Sequence, residues 1–333
     1  MKVEETMALN IAFQMDPMET LSIAGDSSFA LMIEAQKRGH AIWHYLAEEL
    51  TWENAPGVNG NAHGMLTAPA RAVSDVQRQA GNHFRFGESR RIDLSTDIDV
   101  ILMRQDPPFD LGYITATHLL ERISAQTLIV NDPASVRNAP EKLYVLDFAR
   151  FMPPTMITRD LNELRRFHAD HGEVVVKPLH GNAGAAVFRV DRAGSNMAAL
   201  SELFGKVWRE PYMVQAFIPD VAQGDKRIVL IDGEIAGAIN RLPGKGEIRS
   251  NLAAGGSAQR TELTDTELEI CALLGPQLKA RGLLFVGIDV IGGKWLTEIN
   301  VTSPTGIVAI DGFNGSDIPA MIWDAIEARL DAR

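Results

Sequence analysis

Cysteine is almost absent from this chain: Cys271 is the single one in 333 residues. An internal disulfide is therefore excluded, and a lone thiol without a His/Cys cluster offers no structural zinc site. Cys271 lies among apolar neighbours in a helix-like stretch and reads as buried filler, not as a nucleophile. Long apolar runs are missing as well, so nothing approaches the roughly 20 residues that span a bilayer. Residues 1–9 carry Glu4 and Glu5 and lack the apolar centre of a signal peptide, so they read as a short disordered extension with Met7 as an alternative start. Nor is there an excess of positive charge. A formal net charge of −11 argues against wrapping nucleic acid, although a locally basic site for one anionic nucleotide remains compatible with it. Together these absences are compatible with a reducing cytoplasm and argue against nucleic acid or a membrane as the partner.

What is present begins with length and ordinary composition: 333 residues, 46% of them hydrophobic, suffice for two buried cores. The first third has a β-α-β rhythm. Ile11 to Met15 is a short apolar run ending at Asp16-Pro17. Asp26, Ser27 and Ser28 offer N-caps for a helix to about Arg38, and Gly39 follows where a C-terminal glycine belongs. Ala41 to Leu46, Val100 to Met103 and Leu128 to Val130 are further strands, with a helix near Ile114 to Ile123. This alternation predicts an open parallel sheet over residues 10–132. Beyond Asn131-Asp132-Pro133 the character changes. Val174 to Lys177 and Val187 to Val190 are strands separated by a small-residue loop. Asp232-Gly233 and Gly292-Gly293-Lys294 each join two strands as hairpins, and helices fall near 160–170 and 265–281, giving an α+β unit over 133–333.

The loop Leu179 to Ala186, with Gly181, Asn182 and Gly184, is small enough for backbone amides to approach phosphate oxygens. It leads into a strand, where a P-loop or a dinucleotide fingerprint would open a helix. A glycine-rich flap over a nucleotide and a plain tight hairpin both fit it. Lys177, closing a run of valines, suits an ammonium aimed at phosphates, or an outward-facing strand lysine. Asp289 lies on one strand of the last hairpin, and Glu298 and Asn300 share one face of the other. Two carboxylates and an amide oxygen are hard ligands that suit magnesium. Arg241 to Ser257 contains Pro243, Gly244, Lys245, Gly246, Arg249, Gly255 and Gly256, the make-up of a lid that closes over a charged intermediate.

With these residues assembled, the chain resembles the ATP-grasp superfamily and, within it, bacterial glutathione synthetase. The resemblance runs over nearly the whole length. It rests on Asp26-Ser27-Ser28-Phe29-Ala30, Arg104 to Asp110, Asn138 to Leu143, Lys177-Pro178-Leu179, Gly224 to Arg227, Asn251 to Gly256 and Thr297 to Thr305. It implies a pre-ATP-grasp, Rossmann-like N-terminal domain, an ATP-covering subdomain over about 140–210 and a metal- and substrate-binding subdomain over about 211–330. By the same resemblance Lys142 and Lys177 contact ATP phosphates, with Gly181, Asn182 and Gly184 in the covering loop. Gln215, Ala216, Phe217 and Ile218 form the adenine hinge, and Asp225 adds to the nucleotide site. Asp289, Glu298 and Asn300 match the magnesium ligands, with manganese an alternative. Arg227, Arg241 and Arg249 face the reacting groups. Asp26, Ser27, Asn251, Gly255, Gly256, Ser303 and Thr305 match substrate-binding positions. The implied reaction joins γ-glutamylcysteine to glycine through an acyl phosphate, in a cytoplasmic homotetramer.

Two departures from the family pattern are visible. Ala183 stands where the covering loop usually has a glycine, beside an unexpected His180, which predicts a stiffer flap. The turn at Gly292-Gly293-Lys294 is one residue longer, which would shift Asp289 against Glu298. The rival readings are a ligase with another amine acceptor and a nucleotide-binding regulatory protein with weakened catalysis. A dinucleotide oxidoreductase fits the β-α-β opening but lacks the Gly-x-Gly-x-x-Gly context.

Overall fold

The computed structural model describes residues 8–55, 63–181, 184–244, 249–251 and 255–333. The fold is mixed α/β and is built on three sheets. The first sheet grows from Asn10–Gln14, with Ala41–Tyr45 parallel on one side and Val100–Met103 parallel on the other. Leu128–Val130 extends it, again in parallel. The helix Ser27–Lys37 makes the first crossover, capped where the Asp26 carboxylate accepts the Phe29 N–H at 2.7 Å and closed by Gly39 at φ +80°. The chain leaves the central strand for one side and later returns to the other. A topological switch point therefore lies between Asn10–Gln14 and Val100–Met103.

The first sheet is not parallel throughout. His63–Ser74 runs antiparallel to Ala41–Tyr45 and pairs in turn with Thr51–Ala55 and Arg85–Asp93. Arg85–Asp93 buries only Ile92, so no alternation of apolar and polar residues announces it. Leu9, expected in a disordered extension, is buried and ordered. Its N–H donates to His40 Nδ1 at 3.3 Å and its carbonyl accepts the Ala41 N–H at 2.8 Å. Residues 1–7 lie outside the described residues.

The second sheet is antiparallel, in the order Phe188–Val190, Val174–Pro178, Tyr212–Ala216, Thr155–Thr158. Leu161–His171 and Met197–Val207 cover it, burying Leu164, Phe167 and Phe204 against Val174, Val176 and Tyr212. The third sheet is also antiparallel, in the order Ser257–Arg260, Glu234–Leu242, Asp225–Ile231, Phe285–Ile291, Trp295–Asn300. Asp232 and Gly233 form the expected turn, both with positive φ, 49° and 88°. Helix Asp265–Ala280 presses so closely on it that a Cβ at Gly233 would meet the Gly275 carbonyl oxygen at 2.5 Å. The first and third sheets share two apolar cores. Asn131 ties them together at the end of Leu128–Val130. Its Nδ2 donates to the carbonyls of Phe285 at 2.7 Å and Val301 at 2.8 Å, and its Oδ1 accepts the Phe285 N–H at 2.8 Å.

Candidate active site

One face of the third sheet gathers the charged residues. Asp225 pairs with Arg241, Arg227 with Asp289, and Asp289 with Glu298, while Asn300 follows two residues on. Cross-strand partners and alternate residues share a face, so strand pairing alone lines these groups up. The longer turn does not break the alignment. A bulge between Asp289 and Val290 leaves Thr297 as the extra residue, so Asp289 still opposes Glu298. The Thr297 hydroxyl fastens the bulge by donating to the Asp289 carbonyl at 3.2 Å.

Arg227 grips Asp289 with two bonds, Nε to Oδ1 at 2.6 Å and Nη2 to Oδ2 at 3.0 Å. It can lie flat because Gly287 has no side chain; a Cβ there would approach Arg227 Cδ to 3.0 Å. Arg241 Nη2 lies 3.0 Å from Asp289 Oδ1 and 2.7 Å from Asp225 Oδ2. Burial opposes ionisation of Asp289, but the two guanidiniums outweigh it and hold the carboxyl below the ordinary carboxylate range. Asp225 goes the other way. Burial pushes it up to about 7 despite Arg241, and its Oδ1 is buried without a partner among the described residues.

Two ammonium groups converge on Glu298. Lys142 Nζ is 3.6 Å and Lys177 Nζ 3.5 Å from the same Oε1. Burial again opposes ionisation of Glu298, and the lysines bring its pKa below the usual value. Burial lowers the pKa of Lys177. Lys142, on the short helix Glu141–Tyr144, also donates to the Gly181 carbonyl at 2.5 Å and so fixes the start of the covering loop. Crowding two cations on one carboxylate leaves positive charge unspent, which is the arrangement an anion would complete.

Two adjoining cavities open onto this face. One is bordered by Lys142, Lys177, Gly181, Arg227, Arg241 and Thr305. The other runs between Val175, Gln215, Ala216, Phe217, Ile218 and Ile291, with Asp225 and Asp289 at its end. Lys177, Gly184, Asn251 and Glu298 belong to both. In the second cavity the N–H groups of Ala216 and Phe217 are already bonded to the carbonyls of Pro154 and Glu173, each at 2.9 Å. Among the described residues the N–H of Ile218 has no such partner. Arg189 lies 4.1 Å over the Phe217 ring and stiffens that wall.

Other expected residues take more varied positions. Arg249 borders the second cavity, and a Cβ on Gly184, at φ +74°, would meet Arg249 Cδ and Asn251 Oδ1 at 3.1 Å. The covering loop thus packs directly on the candidate lid. Gly256 bonds through its N–H to the Asn251 carbonyl at 3.1 Å, whereas Gly255 has open space around it; neither borders the cavities. Asn182, Ala183, Lys245 and Gly246 lie outside the described residues. Asp26 caps the helix that Ser27 opens, and neither borders these cavities. Their connection runs through Ser28, whose hydroxyl accepts Arg104 Nε at 2.9 Å, while Arg104 Nη2 donates to the Pro304 carbonyl at 2.9 Å. Ser303 donates to Asp106 Oδ1 at 3.0 Å, and Arg227 Nη1 to the Thr305 carbonyl at 3.2 Å, so the 302–305 loop is held from two sheets. His180 stacks on Phe109 at 5.9 Å between centroids, and burial lowers its pKa.

Glu141 was not foreseen. It borders the first cavity, accepts the Thr302 hydroxyl at 2.7 Å and is pushed up by burial. Its place beside Lys142 at a helix start was the only signal.

Asp289, Glu298 and Asn300 bring hard oxygens to one face, a donor set that suits a divalent cation shared with phosphates, while Asp289 is held by Arg227 and Arg241 and accepts Asn300 Nδ2 at 3.4 Å. Among the described residues no three His, Cys, Asp or Glu side chains could hold a metal by themselves. The amide and the nucleotide must therefore complete any such site.

Known proteins of one family are similar to this chain over nearly its whole length. The family model described as prokaryotic glutathione synthetase, N-terminal domain, matches residues 9–137, and that of the ATP-grasp domain of the same family matches residues 141–315. The chain is 55% identical to the glutathione synthetase of Rhodopseudomonas palustris, covering 97% of this chain and 99% of that protein. It is 54% identical to the glutathione synthetase of Bradyrhizobium diazoefficiens over the same shares. Among solved structures, a D-cycloserine synthetase superposes with a TM-score of 0.67 at 18% identity, covering 96% of this chain and 99% of that one, a likeness of fold alone.

Proposed function

The chain belongs to the prokaryotic glutathione synthetase family, and on that premise we propose that it ligates γ-glutamylcysteine to glycine at the expense of ATP. The observation that carries the reading is the convergence of Lys142 and Lys177 on Glu298, beside the Arg227–Asp289–Arg241 cluster and next to an apolar slot. The slot takes adenine, with the Ile218 N–H and neighbouring carbonyls as its polar edge. Lys142 and Lys177 receive the phosphates, and Asp225 borders the nucleotide. A divalent cation held by Asp289, Glu298 and Asn300, magnesium in the first instance and manganese as a substitute, would supply charge neutralisation at the phosphates.

The γ-phosphoryl group passes to the cysteinyl carboxylate, giving an acyl phosphate and ADP. The glycine amine then attacks the acyl carbon and phosphate leaves. Arg227 and Arg241 stabilise the charge on the reacting carboxylate and the tetrahedral centre. Arg249 and Asn251 close over the intermediate and keep water from it, with Gly255 and Gly256 allowing the movement. Asp26, Ser27, Ser303 and Thr305 support the substrate loop. The same reading assigns residues 10–132 to a substrate domain and 133–333 to an ATP-grasp domain, in a cytoplasmic homotetramer; sedimentation tests the tetramer.

The deciding experiment measures ADP release with ATP, magnesium, γ-glutamylcysteine and glycine, omitting each in turn. Release that needs every component, with the tripeptide identified by mass, is the expected result. ADP release that needs the dipeptide but not glycine would shift the reading to another acceptor. ATP binding without release would replace it with a regulatory role.

A further inference from the structure

The ligation needs a proton acceptor that the phosphate-facing cations do not supply. Glycine carries an ammonium at neutral pH, and only the free amine can attack an acyl carbon. The first cavity is rich in cations, with Lys142, Lys177, Arg227 and Arg241 on its walls. Among the described residues three carboxylates border it as well: Asp106, Glu141 and Glu298. Glu298 is taken up by the two lysines. Asp106 accepts the Ser303 hydroxyl and also borders a third cavity, at the carboxyl ends of the first sheet's parallel strands, with Asp16, Glu48 and Asp110. Glu141 is the carboxylate with no assigned part.

Glu141 opens the short helix Glu141–Tyr144 and is half-buried. Its Oε1 accepts the Thr302 hydroxyl at 2.7 Å, and its Oε2 takes no hydrogen bond among the described residues. The Lys142 ammonium, next to it in sequence, is turned instead to Glu298 and the Gly181 carbonyl, and Glu141 forms no ion pair among the described residues. The 302–305 loop sets its distance from the reacting groups. Thr302 at one end bonds Glu141, and the Thr305 carbonyl at the other accepts Arg227 Nη1 at 3.2 Å. Three residue steps span at most roughly 10 Å, so Glu141 and Arg227 border one small reaction space. Burial raises the Glu141 pKa, with Lys142, Arg227 and the Thr302 hydroxyl opposing the rise and Glu298 adding to it. A half-buried carboxylate without a direct cation is costly, and a cationic ligand removes that cost.

We propose that Glu141 is a catalytic residue of the ligation, whose carboxylate receives the ammonium of the incoming glycine and takes one proton from it. The inference rests on the ligase reading above. The proton passes from nitrogen to Glu141 Oε2, and the lone pair so freed forms the C–N bond to the acyl carbon. The acyl C–O bond then breaks, and phosphate leaves with its electron pair and the second nitrogen proton. Glu141 returns its own proton to water when the products leave. Arg227 and Arg241 serve the developing oxyanion while Glu141 serves the nucleophile, so opposite charges are met by separate residues of one cavity. Thr302 is then a positioning residue, holding the carboxylate by the oxygen that does not react.

The test compares two nucleophiles in the full-length chain with ATP, magnesium and γ-glutamylcysteine. Glycine must be deprotonated, whereas hydroxylamine is already uncharged at neutral pH and traps the acyl phosphate as a hydroxamate. Glu141→Gln keeps the shape and can still accept the Thr302 hydroxyl, but it loses the charge and the basicity. It should lower kcat/KM for glycine by about 100-fold, the low end for losing a general base, and leave hydroxamate formation nearly unchanged. The glycine deficit should shrink as pH is raised, because more glycine then arrives as the free amine. Thr302→Val keeps the carboxylate but releases it, and should give a smaller deficit, about 10-fold, for glycine alone. One common loss with both nucleophiles, or a glycine rate indifferent to Glu141→Gln, would overturn the base while leaving the ligase intact. Wild-type protein that releases no ADP with either nucleophile would overturn the ligase reading, and the base with it.

Discussion

The two ends of the candidate substrate path have opposite electrostatic designs. On the face of the third sheet Asp289 is paired with Arg227 and Arg241, and Glu298 with Lys142 and Lys177. At the strand ends of the first sheet Asp16, Glu48, Asp106 and Asp110 stand without a lysine or arginine in the same wall among the described residues. Their solvation differs accordingly. Asp289 and Arg227 are almost wholly buried, with side chains 5% and 7% exposed, whereas Asp16 and Glu48 are exposed. Buried charge must be compensated within the protein, while charge at an open cavity can be left for a ligand to meet.

The largest expected effect separates the two ends by activity. Lys177→Met should reduce kcat by about 100- to 1,000-fold, the usual loss when one donor to a developing anion is removed. Steady-state kcat with saturating γ-glutamylcysteine and glycine checks this. Stability gives the next largest contrast. Arg227→Leu strands Asp289 in a buried setting with Arg241 alone, and breaking such a pair costs about 3–5 kcal/mol. Asp16→Asn, at an open position, should change unfolding free energy by less than about 0.5 kcal/mol. Urea unfolding of both variants without nucleotide checks this, and adding Asp289→Asn to Arg227→Leu should recover part of the loss.

Much of this arrangement was legible in the sequence, for definite physical reasons. Period-two alternation put Glu298 and Asn300 on one face, and turn chemistry at Asp232-Gly233 and Gly292-Gly293-Lys294 located both hairpins. Asp26 and Gly39 bounded the first helix. Other features depended on contacts far apart in the chain. The bulge that keeps Asp289 opposite Glu298 despite the longer turn arises from pairing, and no local signal marks Thr297 as the extra residue. Asn131 reads as a turn residue, yet it bonds the backbone of Phe285 and Val301, more than 150 positions away. Arg85–Asp93 pairs as a strand while exposing most of its side chains, so neither periodicity nor apolarity reveals it. Gln105 and Asp106 were visible only as part of a motif. Their meaning depends on Asp16 and Gln14, brought alongside by the parallel pairing of Asn10–Gln14 with Val100–Met103.

The smallest effect, and the one that follows most directly from the opposing designs, is on pH dependence. Burial pushes the Asp106 carboxyl up, with Asp16 and Asp26 adding to the rise while the Ser303 hydroxyl and Arg104 oppose it. Asp289 and Glu298 shift the other way, because their arginines and lysines overcome burial. On acidification from neutrality Asp106 therefore takes up its proton before either of them. Asp225, which burial pushes up to about 7, takes up its proton earlier still, so kcat/KM should fall first through the nucleotide site as pH drops below neutrality. Stability should move oppositely to affinity. A carboxyl whose folded-state pKa is raised binds a proton in the folded state before the unfolded one, so its unfavourable contribution at neutral pH shrinks as pH falls. If the pH profile near neutrality is unchanged in Asp225→Asn, Asp225 is not the group that titrates first.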